Sequence, residues 1–279
     1  MSHYPLKVPE IGENVLGTSY GYANGGKGAN QASALAQLGA KVKMIGKVAD
    51  DANGNKLLEN LKSKGIDISG VATDGSQTGL AAIILDGDGR NRIIVYEGAN
   101  AEIDPQQTVK SIEGKTNLLL VQFETAEDVV VNAVNHAIKN NITTVIDCGP
   151  AKSFCLEKMQ GATILSPNES ETKALTGIYP DSNDNILAAA KVLKERSKAK
   201  YIVLKLGERG CALYDGEVLK IFSSYKTNVV DTTAAGDCFT AALALEYINS
   251  GDIEKACDFG NKAGAFAVSR MGAENSMPT

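Results

Sequence analysis

Residues 231–239 read Asp-Thr-Thr-Ala-Ala-Gly-Asp-Cys-Phe, and an apolar run over 240–248 follows them. That order predicts a helix whose start carries nothing bulky. Ala234, Ala235 and Gly236 let backbone N–H groups approach a ligand closely. Those N–H groups lack intrahelical partners, and the helix dipole adds positive potential, so the spot suits an anion. Asp237 sits where an anion would be welcome. An acid beside an anion hole suits removal of a proton from a hydroxyl that attacks a phosphate. The same residues also fit an ordinary helix cap with a tightly packed first turn. Local sequence leaves both readings open.

The second glycine cluster, Asn24-Gly-Gly-Lys-Gly-Ala-Asn-Gln31, leads into a predicted helix over 32–38. Two phosphate-binding motifs fail here. Gly21, Gly26 and Lys27 match the P-loop spacing, but Gly28 stands where magnesium needs Ser or Thr. Gly26 and Gly28 open a dinucleotide fingerprint, but Gln31 takes its last glycine position. What remains is a flexible turn from which Lys27 and Asn30 could reach sugar hydroxyls or a phosphate. A close helix–sheet contact is the plainer alternative. Three more polar spots lie just past strand ends, where open α/β sheets bind ligands. They are Glu124, Asn168-Glu169 and the Gly-Glu-Arg-Gly run at 207–210. Each alone fits a cap or a solvated turn; their convergence on one sheet edge favours a ligand site.

These positions need a scaffold that brings strand ends together. The chain alternates β-branched runs with amphipathic helical runs, which predicts a mostly parallel α/β sheet. Strands are expected over 42–48, 118–121, 143–147, 163–166 and 201–206, and helices over 53–64, 127–139 and 184–196. Asp86-Gly-Asp-Gly89 and Asp215-Gly216 mark two hairpins, over 80–96 and 211–222. The first interrupts the alternation and is expected to project as a small sheet on one domain spanning 1–279. With 279 residues, 43% hydrophobic and 22% charged, the chain can bury a large core. Its net charge of −5 argues against a nucleic-acid partner. No apolar stretch approaches the ~20 residues of a membrane span, and the first residues show no signal-peptide core. Cysteines 148, 155, 211, 238 and 257 form no Cys-x-x-Cys, and the histidines are His3 and His136 alone. Neither a zinc site nor a disulfide framework is expected, and a reducing cytoplasm fits.

With both glycine clusters in view, the chain resembles the ribokinase family of sugar and nucleoside kinases. Gly25-Gly-Lys-Gly-Ala-Asn-Gln31 is similar to that family's first signature, and Asp231-Thr-Thr-Ala-Ala-Gly-Asp237 to its second. The likeness runs from 9–17 to 272–278. Gly98-Ala-Asn100, Pro167-Asn-Glu169 and Arg270-Met-Gly-Ala-Glu-Asn-Ser276 point to the ribokinase branch. The resemblance implies a ribokinase-like three-layer α/β/α sandwich with a mostly parallel central sheet. A small β-sheet lid would come from strands near 13–20 and 80–96. The implied activity is transfer of phosphate from ATP to a sugar's primary hydroxyl, D-ribose giving ribose 5-phosphate. Asp237 would be the general base, and the backbone of Ala234, Ala235 and Gly236 the anion hole. Gly25, Gly26, Lys27, Asn30 and Glu124 would hold the sugar. Asn168 would lie near the phosphates. Lys205, Leu206, Gly207, Glu208, Arg209, Gly210 and Gly236 would border the nucleotide, and Asn261 would approach the adenine. Asp231, Thr233, Ala267, Arg270, Gly272 and Ser276 would bind a potassium ion, and magnesium would arrive with ATP. The lid would exclude water and join two copies into a homodimer.

Three departures from the family pattern matter. The family begins with a buried strand ending in an Asn-x-Asp pair that grips the sugar, whereas 1–7 holds neither Asn nor Asp. That strand is expected to be missing, leaving a neighbouring strand unpaired. Lys205 stands where Thr is usual, and Asp147-Cys-Gly-Pro150 replaces the usual Asn-Pro-Ala-Pro loop. Two alternatives to a ribose kinase stay open: a kinase for another pentose or hexose, and a catalytically silent nucleotide-binding homologue.

Overall fold

A computed structural model of the chain describes residues 8–87, 91–112, 114–151 and 154–272. The first elements are α1 (Lys27–Gln37), β1 (Lys43–Ala49), α2 (Ala52–Ser63), β2 (Asp67–Gly75), β3 (Leu80–Leu85) and β4 (Asn91–Tyr96). Next come α3 (Pro105–Ser111), β5 (Leu118–Gln122), α4 (Glu127–Lys139), β6 (Thr143–Asp147), β7 (Ile164–Ser166), α5 (Glu169–Thr176) and α6 (Asn183–Ser197). The last are β8 (Tyr201–Lys205), β9 (Cys211–Tyr214), β10 (Leu219–Phe222), α7 (Ala235–Ser250) and α8 (Ile253–Val268).

The main sheet has six strands in the order β10-β9-β8-β7-β6-β5. Strands β5 to β8 run parallel, and β9 and β10 return antiparallel through the hairpin at Asp215-Gly216. Side chains alternate between two apolar layers, as the strand period of two requires. Ile146, Leu165, Ile202 and Leu204 pack with Val130, Val134, Ile186 and Leu193 of α4 and α6. Val145, Ile164, Val203 and Leu213 pack with Phe239, Leu243, Ala256 and Cys257 of α7 and α8. The sheet is therefore the middle layer of an α/β/α sandwich. Helix α7 lies between the sheet and α1, touching both, so its residues 237–244 are all buried. That explains why its apolar residues run round the helix instead of along one stripe.

Two smaller sheets complete the scaffold. β1 and β2 pair in parallel, and β3 and β4 form an antiparallel hairpin. Helix α1 spans the main sheet and the β1–β2 pair. A side-chain carbon on Gly28 would stand 3.1 Å from Met44 Cε on β1 and 3.3 Å from Gln122 Oε1 on β5. Among the described residues, β5 is hydrogen-bonded to β6 alone. Residues 1–7 lie outside the described residues.

Three expectations need correction. Helix α1 starts at Lys27, five positions before the expected 32, because Gly28 is a close-packing residue inside the helix and no loop marker. Helix α7 likewise starts at Ala235, ahead of the apolar run over 240–248, since Ala234 caps it and Ala235, Gly236 and Asp237 open its first turn. The stretch 13–20 forms no strand. Among the described residues β3 and β4 pair only with each other. Leu16 and Tyr20 within the 13–20 stretch stand exposed. Strand β2 and helices α3, α5 and α8 are further elements that hydrophobic pattern alone left unassigned.

Candidate active site

Two helix starts converge on the C-terminal ends of the parallel strands. Gly26 caps α1 at φ 92°, a backbone conformation that favours glycine, and turns Lys27 into the helix. The Lys27 backbone N–H donates to Glu124 Oε2 at 2.8 Å, so the residue after β5 caps α1 from another part of the chain. Ala234 caps α7 at φ 59° with no side-chain hydrogen bond; the Ala235 N–H donates to the Thr232 carbonyl at 3.3 Å, and the Gly236 N–H is left to a ligand. Asp237, on that first turn, is 4% exposed.

Three side chains of α1 hold the Asp237 carboxylate. Lys27 Nζ lies 3.3 Å from Oδ1, and Gln31 Nε2 donates to the same oxygen at 3.2 Å. Asn30 Nδ2 donates to Oδ2 at 2.8 Å. A carboxylate has about four lone-pair sites, so three donors leave room for one incoming hydroxyl. Asn30 Oδ1 is buried and has no hydrogen-bond partner. A buried acceptor left unmet costs roughly 1–3 kcal/mol, so the site calls for a donor next to Asp237.

Beneath this pair runs a polar row, of which Lys205 alone was expected at the site. Each of four adjacent parallel strands ends on a polar residue: Gln122, Asp147, Ser166 and Lys205. Asp147 is completely buried. It accepts from Gln31 Nε2 at 2.8 Å and from the Gly149 N–H at 3.1 Å, and pairs with Lys205 Nζ at 3.0 Å. Thr240 Oγ1 lies 3.1 Å from Asp147 Oδ2 and 2.9 Å from the Gly236 carbonyl, so its one proton serves either. The signal was present in the sequence, as a polar residue closing each of several apolar runs, but no short motif carries it.

The charges in this cluster set one another. Burial alone would lower the pKa of Lys27, but Asp147, Asp237, Glu171 and Glu124 outweigh it and hold the ammonium charged, above its ordinary value. Burial would raise Asp147, yet Lys205 and Lys27 keep its carboxyl below the usual range. For Glu124 and Glu171, burial dominates and pushes the carboxyls up. The pocket thus joins an ammonium, a helix-start anion hole and an acid with one open acceptor position. That set suits proton removal from a hydroxyl beside a transferring anionic group.

The other expected residues fall in distinct places. Gly25 is open, with nothing within 4 Å of where a side chain would start. Asn168 caps α5 in a reciprocal box with Glu171. Gly207, Glu208 and Arg209 form a single tight turn after β8, and Leu206 is a core residue. Arg209 turns toward Glu169, its Nη2 at 2.6 Å from Oε1. Asn261 is buried, and its Nδ2 donates to the carbonyls of Phe222 and Ser223 at 3.1 and 3.3 Å, pinning the end of β10 to α8. Asp231 accepts from Thr233 N and Oγ1 and from Gly272 N, and the carbonyl of Val268 accepts from Val230 and Asp231. Those bonds bring Asp231, Thr233 and Gly272 together, with Ala267 buried just before them. The Arg270 guanidinium stacks on Phe266 at 3.6 Å, and Ser276 lies outside the described residues. No described helix is long and apolar enough to cross a membrane.

The chain is similar to known proteins over nearly its whole length. A ribokinase of Bacillus subtilis is 36% identical over 277 residues, covering 98% of this chain and 90% of the relative. A deoxyribokinase of Salmonella typhi is 31% identical over 280 residues, covering 99% and 91%. Among solved structures, an Arabidopsis thaliana ribokinase complexed with ribose and ATP matches with a TM-score of 0.88 at 30% identity, covering 98% and 90%. A Thermotoga maritima ribokinase matches with a TM-score of 0.87 at 32% identity, covering 98% and 91%. The model of the pfkB family carbohydrate kinases matches residues 3–279, and to that family the chain belongs.

Proposed function

We propose that this carbohydrate kinase phosphorylates ribose from ATP, giving ribose 5-phosphate and ADP. The observation that carries the reading is the unmet acceptor of Asn30 beside a carboxylate with one acceptor position left. A sugar supplies what both lack through two hydroxyls, one donating to Asn30 Oδ1 and the primary one surrendering its proton to Asp237. The named relatives and the ribose–ATP complex of the Arabidopsis protein support ribose as that sugar.

In the reaction, Asp237 takes the proton of the primary hydroxyl as its oxygen attacks the γ-phosphorus. The bond from that phosphorus to the β,γ-bridging oxygen breaks, and ADP leaves with the electron pair. The Gly236 N–H, on the first turn after the left-handed Ala234, faces the charge that develops on the transferring group, while the Ala235 N–H donates to the Thr232 carbonyl and fixes the turn. Lys27 and Asn30 hold the sugar, with Glu124 fixing the start of α1 and Gly25 and Gly26 leaving room above it. Asn168 and the 205–210 turn border the nucleotide, and Asn261 holds the wall beside it. Magnesium accompanies ATP. The Asp231 carboxylate, kept ionised by its bonds to Thr233 and Gly272, ties two loops beside the anion hole, and this fits a potassium ion whose charge would order them.

The hairpin serves as lid and contact between copies. Leu80, Ile83, Leu85, Ile93, Ile94 and Val95 are each more than half exposed. A lone two-stranded hairpin with apolar residues on both faces is not stable in water, so sugar and a second copy are its natural cover. The five cysteines are all free, which fits the cytoplasm. The test is ADP release over a panel of pentoses and hexoses, for the parent and Asp237→Asn. Ribose is expected to give the highest kcat/KM. The variant is expected to lose about 10²–10⁴-fold in kcat with ATP binding retained. Parent-like turnover by Asp237→Asn would overturn the reading.

A further inference from the structure

Phosphoryl transfer as described leaves Asp147 without a task, although no side chain near the site is better connected. It is completely buried and holds groups from three elements: Gln31 of α1, Lys205 of β8 and Thr240 of α7. We propose that Asp147 is a positioning residue for the reaction: through Gln31 it fixes the carboxylate of Asp237, and through Lys205 it holds a positive charge beneath the first turn of α7.

The two arms rest on separate observations. Gln31 Nε2 lies between two carboxylates, 2.8 Å from Asp147 and 3.2 Å from Asp237, while Gln122 donates to its Oε1. With both ends of that amide engaged, Asp237 Oδ1 is fixed and Oδ2 is turned toward Asn30 and an incoming hydroxyl. A neutral residue at 147 could also hold Gln31. The second arm requires the charge. Lys205 is 7% exposed, and a buried ammonium without an acid beside it turns neutral or swings out. Paired with Asp147 at 3.0 Å, its Nζ stands 4.0 Å from where a side chain on Gly236 would begin. An ammonium there adds to the helix dipole at the point where phosphoryl transfer gathers negative charge.

This inference rests on Asp237 being the base, so the experiment separates the two. Asp147→Asn, Lys205→Thr and the double variant are purified, melted thermally and assayed for ADP release with sugar and ATP each varied. Asp147→Asn is expected to lower kcat about tenfold or more while both KM values stay within about threefold, the mark of an interaction made in the transition state. The double variant is expected to exceed either single variant in kcat, because it strands no buried charge, and to remain below the parent, because the ammonium is gone. A folded Asp147→Asn with parent-like kcat overturns the inference, and so does a double variant whose loss is the product of the single losses. A purely structural ion pair would move the melting temperatures and leave kcat alone. If Asp147→Asn does not fold, Gln31→Met cuts the first arm at a helix position; about a tenfold loss in kcat at constant KM supports the inference and parent-like kcat overturns it. Asp237→Asn measured in parallel shows which idea fails: its full activity would remove the base, whereas its inactivity beside a parent-like Asp147→Asn removes only the positioning role.

Discussion

Gly149→Ala should damage sugar turnover while leaving the fold nearly intact. A side-chain carbon at 149 would stand 2.3 Å from Lys27 Cε, 2.7 Å from Lys27 Nζ and 2.8 Å from Glu171 Oε1. Carbon atoms rest at about 3.5–4.0 Å, so the end of Lys27 must retreat by roughly 1.2 Å or more. The atoms that must move are the tips of flexible side chains, which puts the folding penalty at the low end of overpacking, about 1 kcal/mol. The functional penalty is larger. Lys27 Nζ is already 3.3 Å from Asp237, near the limit of a useful contact, and the retreat opens it. A hydrogen bond to a charged group contributes about 1.5–3 kcal/mol, which converts to roughly a 10–150-fold loss in kcat/KM for the sugar. The KM for ATP should change less than that for the sugar, because the 205–210 turn is untouched and the nucleotide side is disturbed only through the Glu171 bond to Asn168. The assay is ADP release at saturating ATP with sugar varied, next to a thermal melt. A variant that melts near the parent and keeps sugar kcat/KM within about twofold would refute the placement of Lys27 beside the base.

Three other outcomes follow from the same geometry. Glu124→Gln removes a carboxyl whose pKa burial raises, so its effect on stability must depend on pH. A raised folded value means that the parent loses stability as pH climbs from the unfolded value of about 4.3 toward the folded one. The melting temperature of the variant relative to the parent should therefore rise through that window and level off above it; a difference flat across the window would contradict this. Asp231→Ala should abolish any stimulation by potassium and lower kcat several-fold, whereas the parent should be stimulated by potassium more than by sodium or lithium; a parent indifferent to all three ions would remove the cation from the account. Asp51 caps α2 and accepts from Thr78 N at 2.9 Å and Thr78 Oγ1 at 2.7 Å at the foot of the hairpin, so Asp51→Ala should lower the melting temperature and leave kcat near the parent value.

How much of this was legible in the sequence depends on whether the signal is local. The strands β5, β6 and β8 and the helices α4 and α6 were readable because each carries its own period of apolar residues. The two glycine clusters pointed to Lys27, Asn30 and Asp237, and the structure brings these three within hydrogen-bond reach. Helix starts were misplaced where glycine was taken for a loop marker. At Gly28 the missing side chain is demanded by Met44 and Gln122, which no local pattern reveals. Asp147, Gln31 and Thr240 were unreadable as a network for the same reason. Their meaning lies in the register of adjacent parallel strands, which sets Gln122 opposite Asp147 and Asp147 opposite Ser166. Lys205 looked like a nucleotide contact at a strand end, and its burial against Asp147 appears only once β6 and β8 are placed on one face.

The contacts around Asp237 also set a schedule for the chain as it is made. Lys27 and Asn30 lie 210 and 207 positions before their partner, and Gln31 lies 116 before Asp147. At about 5–20 residues per second, α1 leaves the ribosome roughly 10–40 s ahead of the acid that it must hold. During that interval Lys27 and Asn30 lack the acid they hold, although Glu124 and Asp147 arrive earlier for the start of α1 and for Gln31. Closing such long loops slows folding, because the entropy is lost before the contacts form. Catalytic competence is then among the last properties that a new chain acquires, and recovery of turnover during refolding should trail the recovery of helix and sheet signals.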